Sequence, residues 1–316
     1  MTHKQYILIG LTALLFASCH RTPIKERTDT MKSGQAKVAC DACFLPFMRD
    51  EVAIFEGLNP EATITPIYTT DEAAIGLLLK DSLRLVVAAR DLTKAEYQKL
   101  NDMKLLPRAH KIAVDGIAMI VNTRNNDTII SVSNLKKIMT GEINSWNQLD
   151  PKSKLGKIHV VFDNPGSSTV RYIKDTLCGN KPFSENIKAK LTNEAVIEYV
   201  SKMPGAIGVV SSSWICDPTD TLNLHFINKI HVMSVSPYDD ANAGNSYKPF
   251  AAWLALKNYP LTRDIYIISS DAHGYLPSGF MNFVGGDKGQ RLILKSGLFP
   301  ANRPARLVEM KPDNTI

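Results

Sequence analysis

Residues 166–171, Gly-Ser-Ser-Thr-Val-Arg, are the stretch of this chain whose types and spacing best suit the capture of a small anion. They follow an apolar run at 160–162 and a turn, Asp163-Asn164-Pro165. Apolar positions at Val170, Ile173 and Leu177 then recur at helical spacing. The first N–H groups of a helix have no partner inside it, and the positive end of the helix dipole lies there, so a helix start attracts anions. Ser167, Ser168 and Thr169 add hydroxyl donors, and Arg171 adds a planar fork that matches a tetrahedral oxyanion. The same letters would also serve a Ser that merely caps its helix and an Arg that faces water.

Other reactive residues point less clearly. Cys40-Asp41-Ala42-Cys43 is a C-x-x-C, compatible with a redox motif, a local disulfide or two packed thiols. There is no G-x-S-x-G elbow and no H-E-x-x-H, so hydrolytic chemistry and enzymatic activity are not expected. His110, His159, His225, His231 and His273 show no metal-ligand spacing, and no metal or other cofactor is expected. Trp146, Trp214 and Trp253 sit in no basic, aromatic-rich stripe and read as packing residues.

The chain has 316 residues, 44% hydrophobic and 22% charged, which excludes a disordered or membrane-embedded protein. A formal charge of +6 suits an anionic ligand or a membrane surface, without the basic stripe that nucleic acid requires. His3 and Lys4 precede an apolar run at 6–16, and Ala17-Ser18-Cys19 follows. That run is too short to span a bilayer and fits a secretory signal. Small residues before a cysteine resemble a lipobox, with Cys19 lipidated, although Phe16 stands where leucine is usual. Residues 1–18 thus read as a signal peptide and 19–35 as a polar, flexible tether. The expected product is a bacterial lipoprotein of the periplasm or cell surface with a folded body outside the membrane.

The elements that must position the anion stretch alternate between strand and helix. Strands are expected at 37–39, 62–68, 85–89, 112–121, 158–162, 206–210, 250–255 and 265–269. Pro66 argues for an edge strand, and Asp115-Gly116 for a break in the fourth. Helices are expected at 47–58, 71–80, 93–100, 134–139, 167–177, 193–202 and 288–296, with Thr93 and Glu96 forming a capping box. This rhythm is that of an α/β fold with a parallel sheet covered by helices on both faces.

Several of these loops, in order, resemble the phosphate-binding proteins of ABC importers, the PstS family. Cys40 to Pro46 matches that family's first phosphate loop, Tyr68-Thr69-Thr70 its second, residues 88–93 its third, and Gly166-Ser167-Ser168-Thr169 its fourth. Supporting stretches include Gly141 to Asn147, Pro204 to Gly208 and Gly297 to Pro300. The resemblance implies a two-lobed type II periplasmic-binding-protein fold, each lobe a mixed, mostly parallel sheet flanked by helices. Lobe one would hold residues 36–114 and 247–311, and lobe two 115–246, with the hinge crossovers near 114–120 and 235–247. It implies phosphate or a similar oxyanion in the cleft, bound by Cys43, Phe44, Thr70 and Arg90 from lobe one and Ser167, Ser168, Thr169 and Arg171 from lobe two. The backbone N–H groups of Cys43 and Phe44 would face the ligand. The implied partner is a membrane ABC permease, or alternatively a signalling partner, and the implied state a monomer. Two positions depart from the family. Ala89 stands where an aspartate accepts the proton of hydrogen phosphate, leaving Asp41, Asp71 or Asp163 as replacement acceptors. Asp163-Asn164 stands where an arginine is found, leaving Arg90 and Arg171 to restore the charge.

Overall fold

A computed structural model describes residues 29–179, 181–216 and 227–302. The signal segment and Cys19 lie outside the described residues. The fold takes up the chain at Gly34, inside the stretch read as tether. Strand β1 (Gly34–Asp41) is followed by a 3-10 turn, Ala42–Phe44, and helix α1 (Leu45–Leu58), which carries Pro46 in its first turn. Then come β2 (Ala62–Thr69), α2 (Asp71–Leu79), β3 (Leu85–Ala88) and α3 (Lys94–Asp102). The Thr93/Glu96 capping box that starts α3 is present on both sides. β2 is the outer strand next to β1, where Pro66 costs the sheet no ladder bond.

β4 (Arg108–Asn122) is one unbroken strand of 15 residues, about 50 Å long at the usual rise. Its first half pairs with β11 (Thr262–Ser269) as far as Gly116, and its second half, from Ile117, pairs with β8 (Ala206–Ser211). β4 therefore belongs to both lobes. Asp115-Gly116 does not break it, because Asp115 is paired across to Arg263. At Gly116 a Cβ would come within 2.6 Å of Pro249 Cβ, so the chain can pass there only without a side chain.

Lobe two holds β5 (Ile129–Ser131), α4 (Val132–Thr140), β6 (His159–Phe162), α5 (Ser168–Ile173) and β7 (Ile187–Ala189). It continues through α6 (Asn193–Lys202), β8, β9 (Ile230–Val232), β10 (Ser234–Ser236) and α7 (Ala251–Ala255). Beyond α5 the backbone widens into a π-helical turn, Lys174–Cys178. β11 returns to lobe one, where α8 (Leu276–Gly285), α9 (Asp287–Lys295) and β12 (Phe299–Pro300) complete the described chain. Among the described residues the strand order is β2-β1-β3-β11-β4-β8-β6-β7.

Three expectations are corrected. The sheet is not purely parallel, as the strand–helix rhythm alone suggested, but mixed, as the family resemblance implies: β11 runs antiparallel to β3 and β4, and β4 antiparallel to β8. Residues 250–255 contain a helix: Ala251, Ala252 and Ala255 favour one, and a short apolar run does not distinguish a buried helix from a strand. The return crossing lies at Leu261–Thr262, later than 235–247. Ile117 N donates to Leu261 O there, and Leu254, Tyr259 and Leu261 pack in the core of lobe two.

Each lobe buries both faces of its sheet. In lobe one, Val38, Val87 and Ile267 pack on one face, and Ala39, Val86, Ala88 and Ile268 on the other. In lobe two, Ile117, Met119 and Val121 alternate with Ala118 and Ile120 in the same way. This period of two leaves the strand ends, not the faces, for polar loops.

α1 buries Glu51 beside Phe47, Met48, Val52 and Phe55, and neither carboxyl oxygen has a hydrogen-bond partner. Burial, aided by Asp50, raises its pKa from 4.5 to about 9. The native state then holds a proton that the unfolded chain releases, so stability falls as pH rises from about 4.5 towards 9, by roughly 3 kcal/mol at pH 7. Glu51→Met should raise the urea midpoint at pH 8 and flatten its decline between pH 5 and 9. An unchanged pH dependence in the variant would show that Glu51 is not the titrating group.

Candidate functional site

The first loop is shaped by its own aspartate. Asp41 ends β1 and its Oδ1 accepts from Cys43 N at 2.9 Å, fixing the 3-10 turn that follows. The Cys43 amide is therefore committed inside its own loop, and it is the thiol that faces lobe two. Cys43 Sγ donates to Asp163 Oδ2 at 3.3 Å and lies 3.1 Å from Thr169 Oγ1, and Ser168 Oγ donates to it at 3.8 Å. Trp214, in the turn after β8, donates from Nε1 to Cys43 O at 2.8 Å. One loop of lobe one thus touches two segments of lobe two.

On the facing side, β6 ends at Phe162 and Asp163 gathers donors. Ser167 Oγ donates to Asp163 Oδ1 at 2.6 Å and Asn193 Nδ2 to Oδ2 at 3.3 Å. Ser167 is also the cap of α5, accepting from Val170 N at 3.3 Å. The cap of α5 and the bond to Asp163 therefore coexist in one residue. Burial raises the pKa of Asp163, while the bonds from Ser167 and Cys43 oppose the rise. Burial also raises Cys43, and the carboxylates of Asp41 and Asp163 push it further the same way.

Arg263, on β11, lies beneath these groups. Its Nε and Nη2 stand 2.9 Å from Asp115 Oδ2, and its Nη1 donates to Ser168 Oγ at 2.7 Å. Its guanidinium carbon lies 4.9 Å from the Phe44 ring centroid. Asp115 Oδ1 accepts from Ser211 Oγ, Ser212 N and Ser212 Oγ at 2.9–3.1 Å. Burial works against the Arg263 charge, but Asp115 and the neighbouring Cys43 and Asp41 outweigh it and raise its pKa.

The structure brings together Cys43, Phe44, Ser167, Ser168 and Thr169. Thr70 caps α2, accepting from Ala73 N, and helps to line the cleft cavity. A Cβ on Gly166 would sit 3.4 Å from its methyl group, so the second and fourth loops meet there. Arg171 forms an ion pair with Asp71, whose Oδ1 accepts from Ala89 N at 2.9 Å. Arg90 reaches the same carboxylate only at long range, its Nε 4.0 Å from Asp71 Oδ2, and its fork goes onto Glu96 at 2.7 and 2.8 Å and onto Asp91 O. That fork is the first cause lowering Glu96 to about 2. Arg90 thus braces the α3 capping box and stands beside the Asp71–Arg171 pair.

Sequence reasoning missed Arg263, Asp115, Asn193 and the contact of Trp214. A signal for Arg263 was present, because it shares a strand face with the buried Ile265 and Ile267, where a charge is out of place. Between the loops lies a cavity of about 460 Å³, lined among others by Asp41, Tyr68, Thr70, Asp163, Ser167, Asn193 and Trp214. Cys40 and Cys43 are free thiols, both buried. Among the described residues no group of three or more His, Cys, Asp and Glu is placed to hold a metal ion.

Comparison with solved structures places this architecture. A substrate-binding protein of Clostridium perfringens, assigned to phosphate ABC transport and carrying bound phosphate, superposes with a TM-score of 0.71 at 19% identity, covering 85% of this chain and 100% of that one. An ABC-type phosphate transport receptor of Vibrio cholerae gives 0.62 at 19%, covering 84% and 100%. Among curated proteins, the phosphate-binding protein PstS of Bacillus subtilis is 26% identical over 264 residues, 81% of this chain and 79% of the relative. PstS of Staphylococcus aureus is 27% identical over 298 residues, 91% and 86% of the two chains. The family model of the PBP superfamily domain matches residues 25–288, and with most of its length so matched the chain belongs to that family.

Proposed function

We propose that this chain is a solute-binding protein that captures inorganic phosphate between its two lobes and delivers it to an ABC permease. The observation that carries the reading is the meeting of the first loop with the Asp163–Thr169 segment. Hydroxyl, thiol and carboxylate groups from both lobes face one another there within hydrogen-bond range. The relatives that span most of this chain are phosphate-binding proteins by name, which supports the choice of anion.

Cys43, Phe44, Thr70, Ser167, Ser168, Thr169 and Arg171 form or flank the site, and Arg90 supports the third loop. The cavity wall includes Asp41, Asp163 and Glu194. Carboxylates suit an anion that brings its own protons: hydrogen phosphate can donate an O–H to Asp163, whereas sulfate would present only lone pairs. Asp163 thereby takes the acceptor role that Ala89 cannot fill. Delivery places the protein outside the cytoplasm. The signal segment and Cys19 support a lipid anchor, and among the described residues no helix is long and apolar enough to cross a membrane. The protein acts as a monomer and catalyses no reaction. Signalling to a membrane partner is the alternative use of the same binding event.

A thiol-oxidoreductase role is disfavoured. A redox cysteine needs exposure and a depressed pKa. Cys40 and Cys43 are buried, and burial raises both, aided by Asp41.

Calorimetric titration of the full-length protein in detergent should give saturable heat with phosphate and little with sulfate; no heat with phosphate at high protein concentration would rule the reading out. Asp163→Asn should weaken phosphate by about tenfold or more and narrow its margin over sulfate, the loss expected for one buried hydrogen bond to a charged group. Mass-spectrometric mapping after maleimide treatment at pH 7.5 should find Cys40 and Cys43 slow to react, and phosphate should slow Cys43 further. Rapid labelling of Cys40 together with insulin reduction would instead favour the redox alternative.

A further inference from the structure

The cavity between the loops carries little positive charge on its own walls, whereas Arg171, Lys174 and Lys188 line the neighbouring one at Gly166 and Ser167. The former is lined by Asp41, Asp163 and Glu194, with no Lys or Arg among the lining residues. Arg90 and Arg171 stand near the loops, but both are partly exposed and each is committed to a carboxylate, Glu96 or Asp71. Among the described residues the one buried Lys or Arg is Arg263.

We propose that Arg263 is the cation that contacts the bound oxyanion, supplied by the hinge rather than by any of the four ligand loops. This rests on the phosphate reading above. Three observations carry it. First, Arg263 lies where the loops converge: its guanidinium packs on Phe44 of the first loop and donates from Nη1 to Ser168 of the fourth. An anion held between these loops meets the same two residues. Second, the fork is not saturated. A guanidinium has five N–H donors. Nε serves Asp115 and Nη1 serves Ser168, while the buried Nη2, though 2.9 Å from Asp115 Oδ2, makes no hydrogen bond of acceptable geometry. Third, Arg263 has a built support. Asp115 opposes it in register on β4, and Ser211 and Ser212 fix the other oxygen of that carboxylate.

The consequence for binding is specific. Arg263 stands second in β11, directly after the crossing at Leu261–Thr262, and Asp115 directly before the crossing at Gly116–Ile117. The cation therefore moves with the hinge strands, while Ser168 moves with lobe two. A tetrahedral anion accepting from both ties the hinge to the helix start. Asp115 is a positioning residue: it holds the fork edge-on to Ser168 and makes its burial tolerable.

The experiment compares phosphate titrations of the full-length wild type, Arg263→Lys, and the double variant Arg263→Gln/Asp115→Asn, which leaves no lone buried charge. Arg263→Lys keeps the charge without the fork and should bind about tenfold more weakly. The double variant should lose a hundredfold or more, and phosphate should no longer raise its melting temperature, while its melting temperature without phosphate stays within a few degrees of wild type. A double variant that folds and binds within threefold of wild type overturns the proposal. Should the double variant fail to fold, Arg263→Lys decides alone, and binding within threefold of wild type overturns it equally. Absence of heat from the wild type would remove the phosphate reading and this one with it, whereas full binding by the variants removes this one only.

Discussion

A guanidinium withdrawn from water must be met by a carboxylate, and in this protein the meeting is made at the hinge. Removing either partner of such a pair leaves a buried charge that costs several kcal/mol. Arg263 and Asp115 are therefore held to their cross-strand register, and with them the register of β11 on β4. Around that pair the rest of the cleft is arranged. Gly116 admits Pro249 beside it, Ser211 and Ser212 close the far side of Asp115, and Phe44 roofs the guanidinium. The two lobes each have a two-faced hydrophobic core of their own, so the crossing strands are what fixes one lobe to the other.

The electrostatics of the cleft follow from the same constraint. Four aspartates, Asp41, Asp71, Asp115 and Asp163, are buried there, and each has at least one donor, although Asp41 Oδ2 has no hydrogen-bond partner. Asp41 takes the Cys43 amide, Asp71 takes the Ala89 amide and Arg171, Asp115 takes Arg263 and two serines, and Asp163 takes Ser167, Cys43 and Asn193. A site so rich in acceptors does not attract bare anions by net charge. Under the proposed function it suits a ligand that offers hydrogens as well as lone pairs, and it would rank ligands by how many of its carboxylates stay satisfied.

What the sequence made legible was local. The Thr93/Glu96 box, Pro66 at a sheet edge and the helix after Ser167 each depend on neighbours within a few residues, and each is found where the letters put it. The loops near Cys43, Thr70 and Gly166 were legible as an ordered set, and the structure places them around one cavity. What escaped depends on partners far along the chain. Arg263 bonds to residues 95 and 148 positions away, and Arg90, which looked like a ligand, is taken up by Glu96, which had been read only as a cap. The short run at 250–255 was misread because apolar content does not specify backbone geometry, and of these residues only Leu254 is buried. The return crossing was placed too early for a related reason. β10 and the bridge from Val235 to Tyr247 occupy the stretch where the family resemblance put the hinge, yet they pair within lobe two.

Several of the contacts between the lobes are hydrogen bonds or ion pairs. Cys43 to Asp163 and Thr169, Trp214 to the Cys43 carbonyl, Arg171 to Asp71 and Arg263 to Ser168 are all polar. Water can replace such partners when lobes separate, so each is worth only about 0.5–1.5 kcal/mol net, or somewhat more where a charge takes part. A hydrophobic interface of similar extent would resist opening, because parting it exposes apolar surface at about 25 cal/mol per Å². Closure that rests on exchangeable hydrogen bonds would cost little to reverse. The ratio of open to closed forms then answers to any ligand that adds bonds in the closed form alone. The same argument explains why the polar groups of the cleft come from both lobes. Donors confined to one lobe would bind an anion equally in either form and shift nothing, whereas under the proposed function Cys43 on one side and Ser167 to Thr169 on the other would make binding and closure a single equilibrium.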